Sequence, residues 1–233
     1  MKHMRVIFNE ELNQVADDLD HMAHRVHTAI EGAGQALLHQ DIDAAQQVID
    51  GDLEIDALET SIINQCVQLL AKQGPVATDL RVVVSTLRLA STFERMGDLA
   101  RHVAEIARRT YPQPALPAEI TNIFVRMQAF VSNVSEQLIT MLSSKDEALI
   151  ERIITGDDQL DDIHRQIFTI INSDAWTGSK QQTIDTVLLG RFYERFGDHA
   201  VSAARRVGYI VSGFDPTKEP QNMHSAHEDT VLG

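Results

Sequence analysis

A 233-residue chain with 43% apolar but only 5% aromatic residues is long enough to bury a sizeable core, as one large domain or two small ones. Its formal net charge of −14 argues against a nucleic-acid binder, since clustered Lys and Arg are needed to hold a polyanion, and disfavours anionic lipid headgroups for the same reason. Basic protein surfaces and metal cations are the natural partners, and one cysteine, no signal-peptide core in MKHMRVIFNEEL and no run of about 18 apolar residues make a soluble, cytoplasmic protein the expectation.

Residues Met1 to Asn9 read as a short lead-in. Apolar positions then recur at helical spacing through Leu12, Val15, Leu19, Met22, Val26, Ala29, Ala33 and Leu37, which predicts a first long helix. Asp41 stands where an N-cap belongs, and a second pattern runs through Val48, Ile55, Leu58, Ile62, Cys66 and Leu69 to Lys72. Gly74-Pro75 stops it and suits the opening of the next helix. The third helix is expected over 77–109, on the stripe Leu80, Val84, Leu87, Leu89, Phe93, Met96, Ala100 and Val103. The Pro-rich run Tyr111–Pro117 breaks it. Beyond that joint three more helices are expected, over 119–143, 146–172 and 180–212. No series of short β-branched runs between turn signals suggests a sheet, so the fold class is all-α.

The second set of helices repeats the first. Phe93-Glu94-Arg95-Met96-Gly97-Asp98-Leu99-Ala100 returns 100 residues later as Tyr193-Glu194-Arg195-Phe196-Gly197-Asp198-His199-Ala200, and the segment 48–56 matches 153–161 at an offset of 105. The five-residue difference is assigned to the turn between the second and third helices of each half. The reading is two tandem three-helix bundles related by an internal pseudo-twofold, six long helices in all. The first repeat spans 1–113, the second 114–213, and a flexible polar tail follows over 214–233.

Each repeat carries two acidic pairs spaced four apart, so each pair stacks on one helix face with Cβ atoms about 5–6 Å apart. These are Asp52 with Asp56, Glu94 with Asp98, Asp157 with Asp161, and Glu194 with Asp198. With nothing between them such pairs are unfavourable, so something should compensate them. The acids extend stripes of apolar residues: Asp52, Asp56 and Glu59 lead into Ile63, Cys66 and Leu70, and Leu80, Val84, Leu87 and Ser91 lead into Glu94, Asp98 and His102. Three readings stay open. One pair alone usually marks a solvated face. Arginines among Arg81, Arg88, Arg95, Arg101, Arg191, Arg195 and Arg205 can neutralise the acids, with Arg101 and Arg191 three residues from Asp98 and Glu194, while Arg95 and Arg195 point elsewhere. Otherwise four pairs in register hold metal: Mg, Ca, Mn or Fe on carboxylates, or Zn with help from His102, His164 or His199. The H-x-x-H spacing of His224 and His227 is a weaker signal, and no phosphate loop, nucleophile context or H-E-x-x-H is present.

On these residues the chain resembles the PhoU family of bacterial phosphate-transport regulators over residues 5–213. The resemblance rests on Arg5, Phe8, Glu11 and Leu12, on the segment Gln73-Gly74-Pro75-Val76-Ala77-Thr78-Asp79-Leu80-Arg81, and on both E-R-x-G-D-x-A motifs. The run 188–201 and the Tyr111-Pro112 to Leu116-Pro117 joint are most similar to the actinobacterial (PhoY) branch. The resemblance implies metal held by E/D-x-x-x-D motifs, iron or zinc foremost. Carried over by position, the ligands are Glu94, Asp98, Glu194 and Asp198, with Asp52, Asp56, Asp157 and Asp161 as second contributors. The family's Asn eight residues after the Glu is replaced by His102 and Ser202; His102 is a usable ligand and Ser202 a poor one. The resemblance further implies a negative regulator of the phosphate-starvation response and of phosphate uptake. It is expected to be a non-enzymatic homodimeric adaptor between the phosphate ABC transporter's ATPase and a sensor histidine kinase, meeting the membrane only through them. The alternatives are a ferritin-like di-metal carboxylate enzyme and a metal-free helical scaffold. That enzyme class uses Glu-x-x-His pairs, and only Asp161-x-x-His164 compares.

Overall fold

The computed structural model describes residues 2–213, with side chains from residue 6 onward, and every regular element over this span is a helix. The helices are α1 (Lys2–His39), α2 (Ile42–Gln73), α3 (Ala77–Thr110), α4 (Ala118–Ser144), α5 (Glu147–Thr155), α6 (Asp157–Ile171) and α7 (Lys180–Ser212). The expected lead-in is thus already part of α1, and the expected tail, with His224 and His227, lies outside the described residues.

Helix ends follow local chemistry. Asp41 caps α2 by accepting from the Ala44 N–H at 2.9 Å, and Gly74 ends it in the left-handed region at φ 50°, where a Cβ would be strained. Asp146 caps α5, and Ser179 with Gln182 forms a reciprocal capping box at the start of α7.

Helices α1–α3 form one three-helix unit and α4–α7 the other, with the expected fifth helix interrupted at Gly156. At the repeat offset Gly156 corresponds to Gly51, which stays inside α2. The five-residue difference also shifts place: the residue 105 beyond Gln73 is 178, yet α6 stops at Ile171, so the shortening comes out of the helix rather than the turn. The segment after it is tied down by Trp176 Nε1 donating to Thr183 and by the Thr177 N–H donating to Glu119.

The units join along two antiparallel seams. On the first, α3 lies against α7: Arg81 donates to the Ile210 carbonyl at 3.2 Å, His102 packs on Phe192, and Arg109 meets Asp185 at 2.6 Å. On the second, α1 lies against α4, with His27 bonded to Ser135 at 2.8 Å and Gln128 donating to the Ile30 carbonyl at 3.1 Å. Tyr193, wholly buried, donates to Gln128 at 2.8 Å, and one continuous apolar core runs through both units. The sequence stripe through Leu80 and Val84 is not core-facing, since these residues are 41% and 37% exposed. Burial on α3 runs through Val83 and then follows the expected Leu89, Phe93, Met96, Ala100 and Val103.

Candidate functional site

Both copies of the E-R-x-G-D motif lie where the third helix of a unit crosses its second, and the glycine sets the distance. A Cβ on Gly97 would sit 2.9 Å from Ile55 Cδ1 and 3.6 Å from Asp52 Oδ1; one on Gly197 would sit 2.5 Å from Leu160 Cδ2 and 3.2 Å from Asp157 Oδ1. Glycine in a helix interior costs about 0.5–1 kcal/mol relative to Ala, and here it admits the neighbouring helix with its acid. The two crossings are equivalent: Gly97, Ile55 and Asp52 in one unit answer to Gly197, Leu160 and Asp157 in the other.

Each crossing gathers four acids. In the first unit Asp52 is 8% exposed, Glu94 and Asp98 are half-buried, and Asp56 lies on the rim. Burial first, then the negative charges of Asp98, Glu59 and Asp56, push Glu94 up to about 7 against the pull of Arg95. Burial likewise raises Asp52, with Arg101 opposing and Asp56 and Asp98 adding to the rise. In the second unit burial, then Asp198, Asp161 and Asp158, raise Asp157, with Arg205 opposing. Burial and Asp198 raise Glu194, with Arg191 opposing and Asp161 adding.

The counter-charges differ. Arg101 joins Asp52 at 2.6 Å, Asp98 at 2.7 Å and Glu105 at 2.8 Å. Burial alone would lower its pKa, but the hydrogen bonds to Asp98 and Glu105 carry it upward. Its reach to Asp98 follows from the three-residue spacing; the reach to Asp52 crosses to α2 and has no sequence signal. Arg95 does not point away: it returns to Glu94 at 3.4 Å and Asp98 at 3.2 Å. In the second unit Arg191 pairs with Glu194, as its spacing allows. Among the described residues no ion pair reaches Asp157, Asp161 or Asp198.

The histidines lie beside these patches. His102 packs on Phe192 with ring centroids 5.2 Å apart, its buried Nδ1 has no hydrogen-bond partner, and no ion pair links it to a carboxylate among the described residues. His164 lies against Gly190 with Nε2 buried and unpartnered; burial and Arg191 lower its pKa while Asp161 opposes. His199 is lowered by burial, then by Arg195 and Arg95. The donor set of each patch, four carboxylates that raise one another's proton affinity, has the chemistry of a hard-cation site. As the side chains lie, however, no group of three or more His, Cys, Asp or Glu among the described residues is arranged to hold an ion. Sequence reasoning placed Glu59 on the acidic stripe and Arg205 among the possible counter-charges, and missed Glu105. Only the glycine kept at the centre of both helices signalled the close crossing.

Fold and site together define a class: an all-helical protein of two fused three-helix repeats, each with an acidic patch where its second and third helices cross. A sequence model of the PhoU domain matches the chain twice, over residues 19–107 and 124–207, and the chain belongs to the PhoU family. It is 39% identical over 213 residues to the phosphate-specific transport system accessory protein PhoU homolog 2 of Mycobacterium tuberculosis, covering 91% of this chain and all of that one. Against homolog 1 of the same species it is 37% identical over 216 residues, 93% of this chain and 98% of the relative. The crystal structure of PhoU from Pseudomonas aeruginosa superposes with a TM-score of 0.80 at 27% identity, over 89% of this chain and all of that one. That of the phosphate transport system regulatory protein PhoU from Streptococcus pneumoniae gives 0.78 at 22% identity, a likeness of fold.

Proposed function

We propose that this chain is a negative regulator of phosphate uptake and of the phosphate-starvation response. It acts as a cytoplasmic, non-catalytic adaptor between the ATPase of a phosphate ABC transporter and a sensor histidine kinase. The observation that carries this reading is the relationship to transport-system accessory proteins over nine-tenths of the chain. No helix among the described residues is long and apolar enough to cross a membrane, so a membrane role in this reading runs through partners. An adaptor signals by binding one state of a partner better than another, and its effect is bounded by that difference in affinity. A net charge of −14 favours basic partner surfaces; such complementarity chiefly sets association rate and specificity and weakens as salt rises. Deleting the gene should switch phosphate-starvation reporters on in phosphate-rich medium. Full repression in the deletion strain, with no paralogue present, would overturn the reading.

The acidic patches fit this role as metal sites, iron or zinc foremost, with Mg, Mn or Ca compatible with the carboxylate donors. Glu94, Asp98, Asp52 and Asp56 would serve the first, and Glu194, Asp198, Asp157 and Asp161 the second. A cation there offsets the burial, and then the mutual repulsion, that raise Glu94, Asp52, Glu194 and Asp157. In the first patch it must displace Arg101, so the second binds more tightly. Protein purified without an affinity tag should carry metal, and Asp98→Asn with Asp198→Asn should strip most of it; an unchanged metal-to-protein ratio would favour ion pairing alone.

A further inference from the structure

A second kind of site lies farther along the α3–α7 seam, where the charge has the opposite sign. The antiparallel packing sets Arg88 and Thr92 of α3 against Arg206 and Ser202 of α7, and these four line one groove of about 510 Å³ with Ser91, over an apolar floor of Ile63 and Leu87. Among the described residues neither Arg88 nor Arg206 has a carboxylate within ion-pairing distance. In a chain with 34 acidic and 20 basic residues, two arginines that line one groove without a counter-charge leave positive charge there for an anion. The Arg206 guanidinium lies over Tyr209, whose ring centroid is 5.9 Å from its Cζ, and Arg81 stacks on the same ring at 5.7 Å. Ser91, at the rim, donates to Glu59 at 2.7 Å.

We propose that this groove binds a phosphate group, clamped between Arg88 and Arg206. Two planar forks approaching from opposite helices match the oxygens of a tetrahedral dianion, and such charge-assisted bonds are about twice as strong as neutral ones. Thr92 and Ser202 now donate back to the Arg88 and Asp198 carbonyls of their own helices, at 2.8 and 3.0 Å. These are weak back-bonds, and rotation about χ1 exchanges either for a donor toward the anion. The short Ser202 hydroxyl at its edge keeps the groove open. The volume admits orthophosphate with its water, or a phosphate group carried on a small organic molecule.

The site deepens the phosphate-regulation reading and rests on it only for the choice of ligand. Titration of the metal-free full chain by calorimetry, with inorganic phosphate in one arm and ATP in the other, tests it. At least one arm should bind, and Arg88→Gln and Arg206→Gln should each weaken that binding by about tenfold or more. Arg126→Gln, at an exposed arginine of α4 that bonds Gln166 and does not line the groove, should leave it unchanged. Binding of phosphate alone assigns the free ion, and binding of ATP alone assigns a phosphate ester. Because a variant can lose its fold, the same titration is followed on the wild-type chain by backbone amide NMR, where the shifts should centre on residues 88–92 and 202–206. No binding in either arm, binding indifferent to both arginines, or shifts centred elsewhere would overturn the proposal. The reporter strain tests regulation in cells and this titration tests the groove, so either can fail without the other.

Discussion

In the first repeat Arg101 reaches from α3 to Asp52, Asp98 and Glu105, whereas the position 100 residues later is Val201, which is buried in the core. The frame is otherwise shared: a helix-interior glycine brings one buried or half-buried Asp of the neighbouring helix beneath the Glu/Asp pair in both repeats. The second repeat offsets its charge differently. Asp157 opens α6 after the break at Gly156, where free backbone N–H groups favour an acid, while its counterpart Asp52 sits in mid-helix. Arg205 acts on Asp157 without an ion pair, and Arg191 holds Glu194. A duplicated backbone has thus kept its acids in register while the balancing cation changed. One patch is closed by the protein's own guanidinium, and the other keeps three carboxylates without one.

The largest effect that tests this contrast is on stability. Arg101→Met should cost about 1–3 kcal/mol in urea unfolding, because it leaves the largely buried Asp52 unpaired. Arg191→Met, at an arginine 54% exposed, should cost less than about 1 kcal/mol. Equal costs would erase the distinction between the patches.

The shared frame is tested at the glycines. Gly197→Ala should destabilise by about 1 kcal/mol, since overpacking against Leu160 costs about 1–3 kcal/mol and exceeds the helix-propensity gain. Gly97→Ala, with more room at Ile55, should cost less. Thermal melts of the two variants check the order.

A smaller effect appears with pH. Glu94 has a folded pKa raised to about 7 from 4.5, so the folded state holds its proton more tightly than the unfolded one. Its contribution is fully present below pH 4.5 and is lost as pH rises through 7. In metal-free protein Glu94→Gln should therefore flatten the decline of stability between about pH 5 and 8. An unchanged slope would place Glu94 outside the acidic cluster.

Much of this architecture was legible in the sequence, because long helices with apolar periodicity and marked ends leave few options. Asp41 and Gly74 mark helix ends that the structure keeps. The break at Gly156 was not legible, since the matching Gly51 tolerates an unbroken helix and the difference is tertiary. Leu80 and Val84 misled because they lie one helical step from the buried row through Val83. The acids could be read as pairs, and Arg101 as a partner of Asp98. That the same side chain also reaches Asp52 depends on how α2 crosses α3, which no spacing within one helix encodes. Arg95 was missed because a long side chain can fold back to the Glu94 beside it.

Metal content of repeat-specific variants tests most directly the claim that one patch is closed by arginine and the other is open to a cation. Untagged protein carrying Asp157→Asn with Asp198→Asn should lose most of its bound iron or zinc by elemental analysis, while Asp52→Asn with Asp98→Asn should retain the greater part. Equal losses, or the larger loss from the first repeat, would contradict the account.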